Sequence, residues 1–316
     1  MADPLIYLLD LVVFVGIYGI LSVSLNLEFG FAGIANFGKV AFFLVGAYVY
    51  AILSALGVPF YVCLIAAAAA AALVGFLVSL PTLKLREDYL AIVVLTTGEI
   101  LRQIVKSEKA IANGVWGIAV SPAIPTLGMP ARVSSLVNIG LVFGCLLVCF
   151  LVAQRLANSP YGRVIRALRE DEVAAEALGK NRAKYRAQVL ALGSAMTAIA
   201  GGLYAQYIQF IDPYMFMPLI TFTVWIMVLI GGPGNNWGAL LGAALVLTFD
   251  RGANIIKDRV QNLPIDPGNL QYILYGILIL LVLFFRPQGL LRESRLRTRA
   301  LEKVGRGRDT AQGQRS

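Results

Sequence analysis

Residues able to do chemistry are scarce in this chain and stand far apart. Its 316 residues include no histidine, which removes Ser–His and Cys–His pairs, an imidazole general base and every His-ligated metal site. The three cysteines, Cys63, Cys145 and Cys149, all fall in apolar runs. Cys145 and Cys149, four apart, would lie side by side on a helix, with nothing polar or cationic nearby to lower a thiol pKa. They read as small buried hydrophobes rather than as a disulfide or a thiolate site. Gly33-Ile34-Ala35-Asn36-Phe37-Gly38-Lys39-Val40 matches a phosphate-binding loop as far as its lysine. Val40 then takes the place of the magnesium-binding Ser or Thr, and a membrane span follows where a soluble helix belongs, so nucleotide binding is not expected there. Glu99 and Arg102, three apart in an apolar segment, are spaced to pair on one helix, because an isolated charge at membrane depth is costly. A structural pair is the first reading of these two, and a substrate contact the second. Asp250 and Arg251 lie near a span end, where snorkelling accounts for them. No catalytic residue and no metal site are expected, and the chain does not read as an enzyme.

The elements that must carry these residues follow from composition. Hydrophobic residues make up 58% of the chain and charged residues 14%, with a mean hydropathy of +0.75. A soluble domain carries about 25% charged residues. Such a chain cannot cover its surface with polar groups, so the bilayer is its solvent. Crossing the hydrocarbon takes roughly 20 helical residues, and the charge-free runs are 11–27, 40–83, 133–154, 187–211, 213–249 and 267–285. Gly57-Val58-Pro59 divides the second run, and Gly231-Gly232-Pro233-Gly234-Asn235-Asn236 divides the fifth. With the more polar segment 90–105 added, the expectation is an all-α polytopic membrane protein of about nine transmembrane helices. They are placed at 5–25, 37–56, 60–80, 90–105, 133–153, 187–207, 216–231, 238–256 and 270–286. Residues 110–131, rich in Pro and Gly, are expected to be an ordered loop or cap. Met1-Ala2-Asp3-Pro4 lacks a basic leader region, so the first apolar stretch is expected to be retained as a span.

The net charge of +9 is concentrated in two places. Residues 155–186 hold eight Lys/Arg and four Asp/Glu, and residues 286–316 hold nine and three. The positive-inside rule puts both in the cytoplasm, and the expected spans before the first of them put the N-terminus outside. Residues 292–316 read as a basic, disordered tail drawn to anionic lipid, with no nucleic-acid partner. Residues 155–186 differ in kind. Ser159 can cap a helix whose first position is Pro160, and Arg163, Arg166 and Arg169 recur at a spacing of three. A short helix then opens on acidic residues including Glu172, continues through Ala174, Ala175 and Glu176, and closes at Gly179. Val173, Ala174, Ala177 and Leu178 give it a smooth apolar face, fit for a groove in another protein or for packing on its own bundle.

At these residues the chain resembles a known family. Ser159-Pro160-Tyr161-Gly162-Arg163 followed by Glu172-Val173-Ala174-Ala175-Glu176-Ala177-Leu178-Gly179 is similar to the Glu-Ala-Ala coupling loop of ABC importer permeases, and more narrowly to the LivM-type permeases of branched-chain amino acid transporters. Further blocks agree in order: Asn26-Leu27 through Gly30, Gly33 and Asn36-Phe37-Gly38; Leu85-Arg86 with Tyr89-Leu90-Ala91-Ile92 and Gly98-Glu99-Ile100; Gly231-Gly232 with Gly234, Gly238 and Gly242; and Tyr275-Gly276 to Phe285-Arg286-Pro287-Gln288-Gly289-Leu290. Lys39 stands where the family commonly has His, Ala110-Ile111-Ala112 replaces an expected glycine pair, and Asn235 and Ala239 replace Thr and Pro. These departures bear on the substrate more than on the transporter class.

The resemblance implies a permease domain over 1–291, with the coupling loop at 155–186 and the tail at 292–316, in the plasma (inner) membrane. It implies half a pore for branched-chain amino acids, completed by a second, LivH-like permease subunit, two cytoplasmic ATPases and an extracytoplasmic binding protein. ATP and Mg²⁺ would be bound by the ATPases, with no cofactor on this chain. Arg163, Arg166, Glu172, Ala174, Ala175, Glu176 and Gly179 would couple it to ATP hydrolysis. Gly30, Gly33, Asn36 and Gly38, with Gly231, Gly232, Gly234 and Asn235, would either line the substrate path as broken helices or allow close helix packing. The alternatives are a urea or amide permease of the same superfamily and, in another class, an ion- or proton-coupled secondary transporter.

Overall fold

The computed structural model describes residues 4–82, 87–109, 113–121, 131–259, 276–277, 280, 284–286 and 288–293. Helix α1 (Pro4–Leu25) opens on a proline, whose fixed φ suits a first turn, and runs through an apolar stretch into a π-helical turn, Asn26–Phe31. A bend leads to α2 (Lys39–Ala55). Gly57 and Pro59 separate it from α3 (Phe60–Thr82), after which comes α4 (Glu87–Ser107). Next are α5 (Ala131–Asn158) and two short helices, α6 (Pro160–Glu170) and α7 (Glu172–Ala177). The series continues with α8 (Arg182–Ile208), α9 (Leu219–Gly231) and α10 (Asn236–Arg259). Two two-residue strands, β1 (Ile118–Ala119) and β2 (Phe210–Ile211), pair antiparallel with Ile118 opposite Ile211. The described part of the expected loop 110–131 is therefore pinned to the far end of α8.

Helices α1–α5 and α8–α10 stand where spans were expected. The remaining one, 270–286, lies outside the described residues apart from 276–277, 280 and 284–286. Among the described residues, five helices are long and apolar enough to cross a membrane: Leu5–Phe31, Phe60–Leu80, Val133–Asn158, Arg182–Ile208 and Pro213–Gly231, with Lys39–Ala55 a shorter apolar one. α4 and α10 carry their own charges, Glu99 and Arg102 on one, Asp250 and Arg251 on the other. α8 begins earlier than its apolar run because Asn181 caps it, its side chain accepting a hydrogen bond from the Lys184 backbone N–H at 3.0 Å. Charge marks where lipid ends, not where a helix does.

α8 is the hub, packed against α1, α2 and α3, while α5 and α10 flank α1 and α9 lies on α10. The span of α8 is 67% buried, against 33% for α3 and 28% for α5. The outer helices turn Tyr61, Ile65, Leu73, Leu147 and Val148 outward, as a lipid-facing surface requires. Between two helices already in lipid, close backbone approach supplies the attraction. Gly46 of α2 lies against the backbone of Ala198, and Gly201 of α8 against the Phe43 carbonyl. Gly201→Leu is expected to wedge α2 from α8 and destabilise the bundle by about 1–3 kcal/mol, read as a lower thermal midpoint in detergent; an unchanged midpoint would show that the seam does not hold the fold.

Candidate functional site

The loop between α5 and α8 is built as two helices with a corner. Ser159 caps α6, its hydroxyl accepting from the Gly162 N–H at 3.3 Å. Asp171, in extended conformation, ends α6 and caps α7 by accepting from the Ala174 N–H at 3.0 Å. Gly179, at φ +76°, turns the chain through a left-handed step that side chains resist. The whole is braced from inside. Glu172 meets Arg182 at 2.5 Å and Arg186 at 2.6 Å, so both arginines at the start of α8 hold the start of α7. Tyr161 lies 5.4 Å from Tyr185, ring to ring, and burial pushes its phenol up to about 12.

The seven expected coupling residues therefore divide. Arg163, Ala174, Glu176 and Gly179 are exposed, whereas Arg166 and Ala175 are buried and Glu172 is half-buried in its arginine pair. Arg166 and Ala175 point inward because α6 and α7 each lay one face on the bundle, so they can only support a contact surface, not form it. Arg166 sits over the Phe31 ring at 4.8 Å. Burial pulls its guanidinium below the usual range, and Glu293 opposes that. Beside Glu176, α7 and its C-terminal cap leave two large apolar side chains uncovered: Val173 is 79% exposed and Leu178 80%.

The two glycine blocks meet at the same end of the bundle as this loop. Asn26 ties them, its amide donating to Asn236 Oδ1 at 2.8 Å and its carbonyl accepting from the Gly234 N–H at 2.8 Å. Asn236 passes the chain on to Gln154 of α5 at 2.9 Å. Gly30 faces Asn26 and the Gly234 nitrogen, Gly33 faces Arg169, and Gly38 faces the Val94 backbone. Gly231 lies against Gly238, Gly232 against Gln288 and Leu291, and Gly234 against Glu293. Asn235 caps α10, accepting from the Trp237 N–H at 3.0 Å, and donates to the Arg292 carbonyl at 3.1 Å. Each block glycine is thus a point where main chain or a charged side chain comes close. Asn36 is buried and donates to Glu28 Oε2 at 2.8 Å.

That last contact leads to a pair that sequence reasoning missed. Lys39 and Glu28 meet at 2.9 Å with side-chain exposures of 1% and 0%. The Lys39 ammonium also donates to Ser24 at 2.7 Å and to Thr197 at 3.1 Å. Gly193 leaves the space that the Glu28 carboxylate fills. The lysine of the phosphate-loop look-alike is therefore fully engaged inside the protein. A signal was present: Glu28 and Lys39 are the only charges between Asp10 and Lys84. Glu99 and Arg102 do pair within α4, at 2.6 Å, and Gln103 donates to Glu99 at 3.0 Å. Among the described residues, no group of three metal-ligating side chains converges.

Comparison with known proteins gives this arrangement its context. A family model described as branched-chain amino acid transport system / permease component matches residues 7–283. The probable branched-chain amino acid transport permease protein LivM of Methanocaldococcus jannaschii is 35% identical, with 91% of this chain and 94% of that one covered. The high-affinity branched-chain amino acid transport system permease protein LivM of Escherichia coli is 31% identical, over 90% of this chain and 70% of that one. The corresponding BraD protein of Pseudomonas aeruginosa is 29% identical over 54% of this chain and 55% of its own. No solved structure matches.

Removing one member of a buried ion pair leaves an uncompensated charge, at a cost of about 3–5 kcal/mol, while replacing both with neutral groups is far milder. Lys39→Met is expected to lose most of the folded protein, and adding Glu28→Gln to recover it, as measured by monodisperse yield and unfolding midpoint. Equal losses in the single and double variants would show that the two charges are not coupled.

Proposed function

The chain belongs to the branched-chain amino acid transport permease family, and we propose that within an ABC importer it forms one half of the pore for branched-chain amino acids. A second permease subunit of the LivH kind would complete the pore. Two cytoplasmic ATPases would supply ATP hydrolysis with their own Mg²⁺, and an extracytoplasmic binding protein would deliver substrate. The observation that carries the reading is the α6–α7 loop: a rigidly braced corner that turns two large apolar side chains, Val173 and Leu178, outward. A loop that only packed on its own bundle would bury those two side chains.

On this reading α7 fits a groove of an ATPase, with Arg163, Ala174, Glu176 and Gly179 on the contact surface and Arg166, Glu172 and Ala175 bracing it from behind. A groove that changes shape with nucleotide state binds α7 differently in each state, and that difference is what biases the spans between inward- and outward-open forms. The loop and the C-terminal segment are cytoplasmic in this arrangement and the N-terminus is outside. In support, α1 ends beside the loop, where Arg169 reaches Gly30, so its first residues lie at the opposite end. The two glycine blocks, at the loop end, would frame the inner end of the substrate path, and the membrane concerned is the plasma membrane.

Vesicles holding the complete transporter are expected to take up labelled leucine, isoleucine or valine only with ATP inside the ATPase-bearing compartment. Uptake driven by a proton or sodium gradient without ATP would replace this reading, and preference for urea or an amide would move the substrate within the superfamily. Val173→Asp with Leu178→Asp should cut co-purified ATPase at least about tenfold, the effect of losing roughly 1.4 kcal/mol of association energy. The unfolding midpoint should stay put because both side chains are exposed. Undiminished ATPase recovery would mean that α7 is not the docking element.

A further inference from the structure

We infer that Glu293 is a positioning residue for transport: its carboxylate clamps α6, the helix that carries α7, to the glycine turns, so that movement of the loop reaches α1, α9 and α10 together. The inference rests on the coupling reading above and adds the part that transmits the motion. One side of the clamp is anchored by main chain. The Leu290 N–H donates to the Ile230 carbonyl at 2.9 Å and the Leu291 N–H to the Gly231 carbonyl at 3.0 Å, so residues 288–293 run as a strap beneath the end of α9. The Arg292 carbonyl accepts from Asn235, and Gly234 leaves the room in which the Glu293 side chain lies. Gly234 in turn is tied to Asn26 at the end of α1.

The other side is ionic. Glu293 Oε2 meets Arg169 Nη2 at 2.8 Å and Oε1 meets Arg166 Nε at 3.4 Å. The second arm of the Arg169 guanidinium donates to the Gly30 carbonyl, and Gly33 packs against the same side chain. α6 otherwise lies mainly on α5, α7 and the π turn, with Tyr161 against Tyr185 of α8. Through one carboxylate it gains the turn between α9 and α10. The site is partly desolvated, with Arg166 6% and Glu293 29% exposed, and the charge-assisted Arg169–Glu293 bond, with the Arg166 charge beside it, is stiffer than an open surface bridge. A guanidinium shared between Gly30 and Glu293 cannot follow α6 without pulling on both glycine blocks.

The test uses the whole transporter in vesicles, scoring substrate taken up per ATP hydrolysed alongside basal hydrolysis and subunit recovery. Glu293→Gln, which keeps the shape and removes the charge, is expected to lower uptake per ATP roughly tenfold, within the usual range of coupling between sites, with hydrolysis and recovery unchanged. Glu293→Asp, which keeps the charge, should recover most of the ratio. An unchanged ratio in Glu293→Gln overturns the inference, as does an Asp variant no better than the Gln variant. Uptake and hydrolysis falling in proportion, or loss of the assembled complex in both variants, marks a folding role and overturns it too. Absence of ATP-driven uptake in the unaltered complex would overturn the transport reading itself, and is seen before any substitution is made.

Discussion

The Glu28–Lys39 pair sets the terms for the rest of the fold. A carboxylate and an ammonium enclosed between α1, α2 and α8 can exist in a membrane protein only if every remaining bond is supplied by the protein. Ser24, Asn36 and Thr197 supply them. That requirement fixes three things at once: the π turn that aims Glu28, the bend that returns Lys39 towards it, and the glycine of α8 that admits the carboxylate. The bend is held from its other side by α9, where Trp225 stacks on Phe37 with centroids 4.6 Å apart and donates to the Asn36 carbonyl at 3.2 Å. Thr221 accepts from the Val40 N–H at 3.0 Å and so caps α2. One buried pair thus draws six chain segments together: α1, the π turn, the bend, α2, α8 and α9.

Beyond that knot, charge changes its task. Around α6 and α7 the same residue types sit at the bundle's end, bonded to one another and half in water, where an ion pair is a brace rather than a lock. Glu172 holds the corner through two arginines of α8, and Glu293 holds α6 through two arginines of its own. The loop is therefore stiff towards the bundle and bare towards its surroundings. Those are the two properties a lever needs.

Much of this was legible in the sequence, for a physical reason. Lipid tolerates charge so poorly that charge-free runs mark the middles of spans, and α1, α3 and α5 each contain most of the run that places them. Ser159-Pro160 and Gly179 announced the limits of the α6–α7 pair by their backbone chemistry. The pair of Glu99 and Arg102 was readable because three residues on a helix is a contact. Glu28 and Lys39 were not, since eleven residues with a bend between them define no distance, and the bend depends on Trp225 and Thr221 from far along the chain. Glu293 escaped for another reason: it stands at the head of a basic run read as tail, and nothing in that run says that its charge meets Arg166 and Arg169. Burial of Arg166 and Ala175 was likewise hidden, because a three-residue spacing of arginines does not say which face α6 lays down.

The hub position of α8 also has a temporal side. Thr197, which completes the shell of Lys39, is 158 residues further along the chain, and the glycine seam that receives α2 is on the same late helix. A ribosome delivering this chain to the bilayer releases α1, α2 and α3 long before the helix that joins them exists. Until then the early helices must wait with their polar groups provisionally satisfied, by each other or by the insertion machinery. Biosynthesis of this protein is a matter of storage as much as of insertion, and α8 is the moment at which the stored parts become one body.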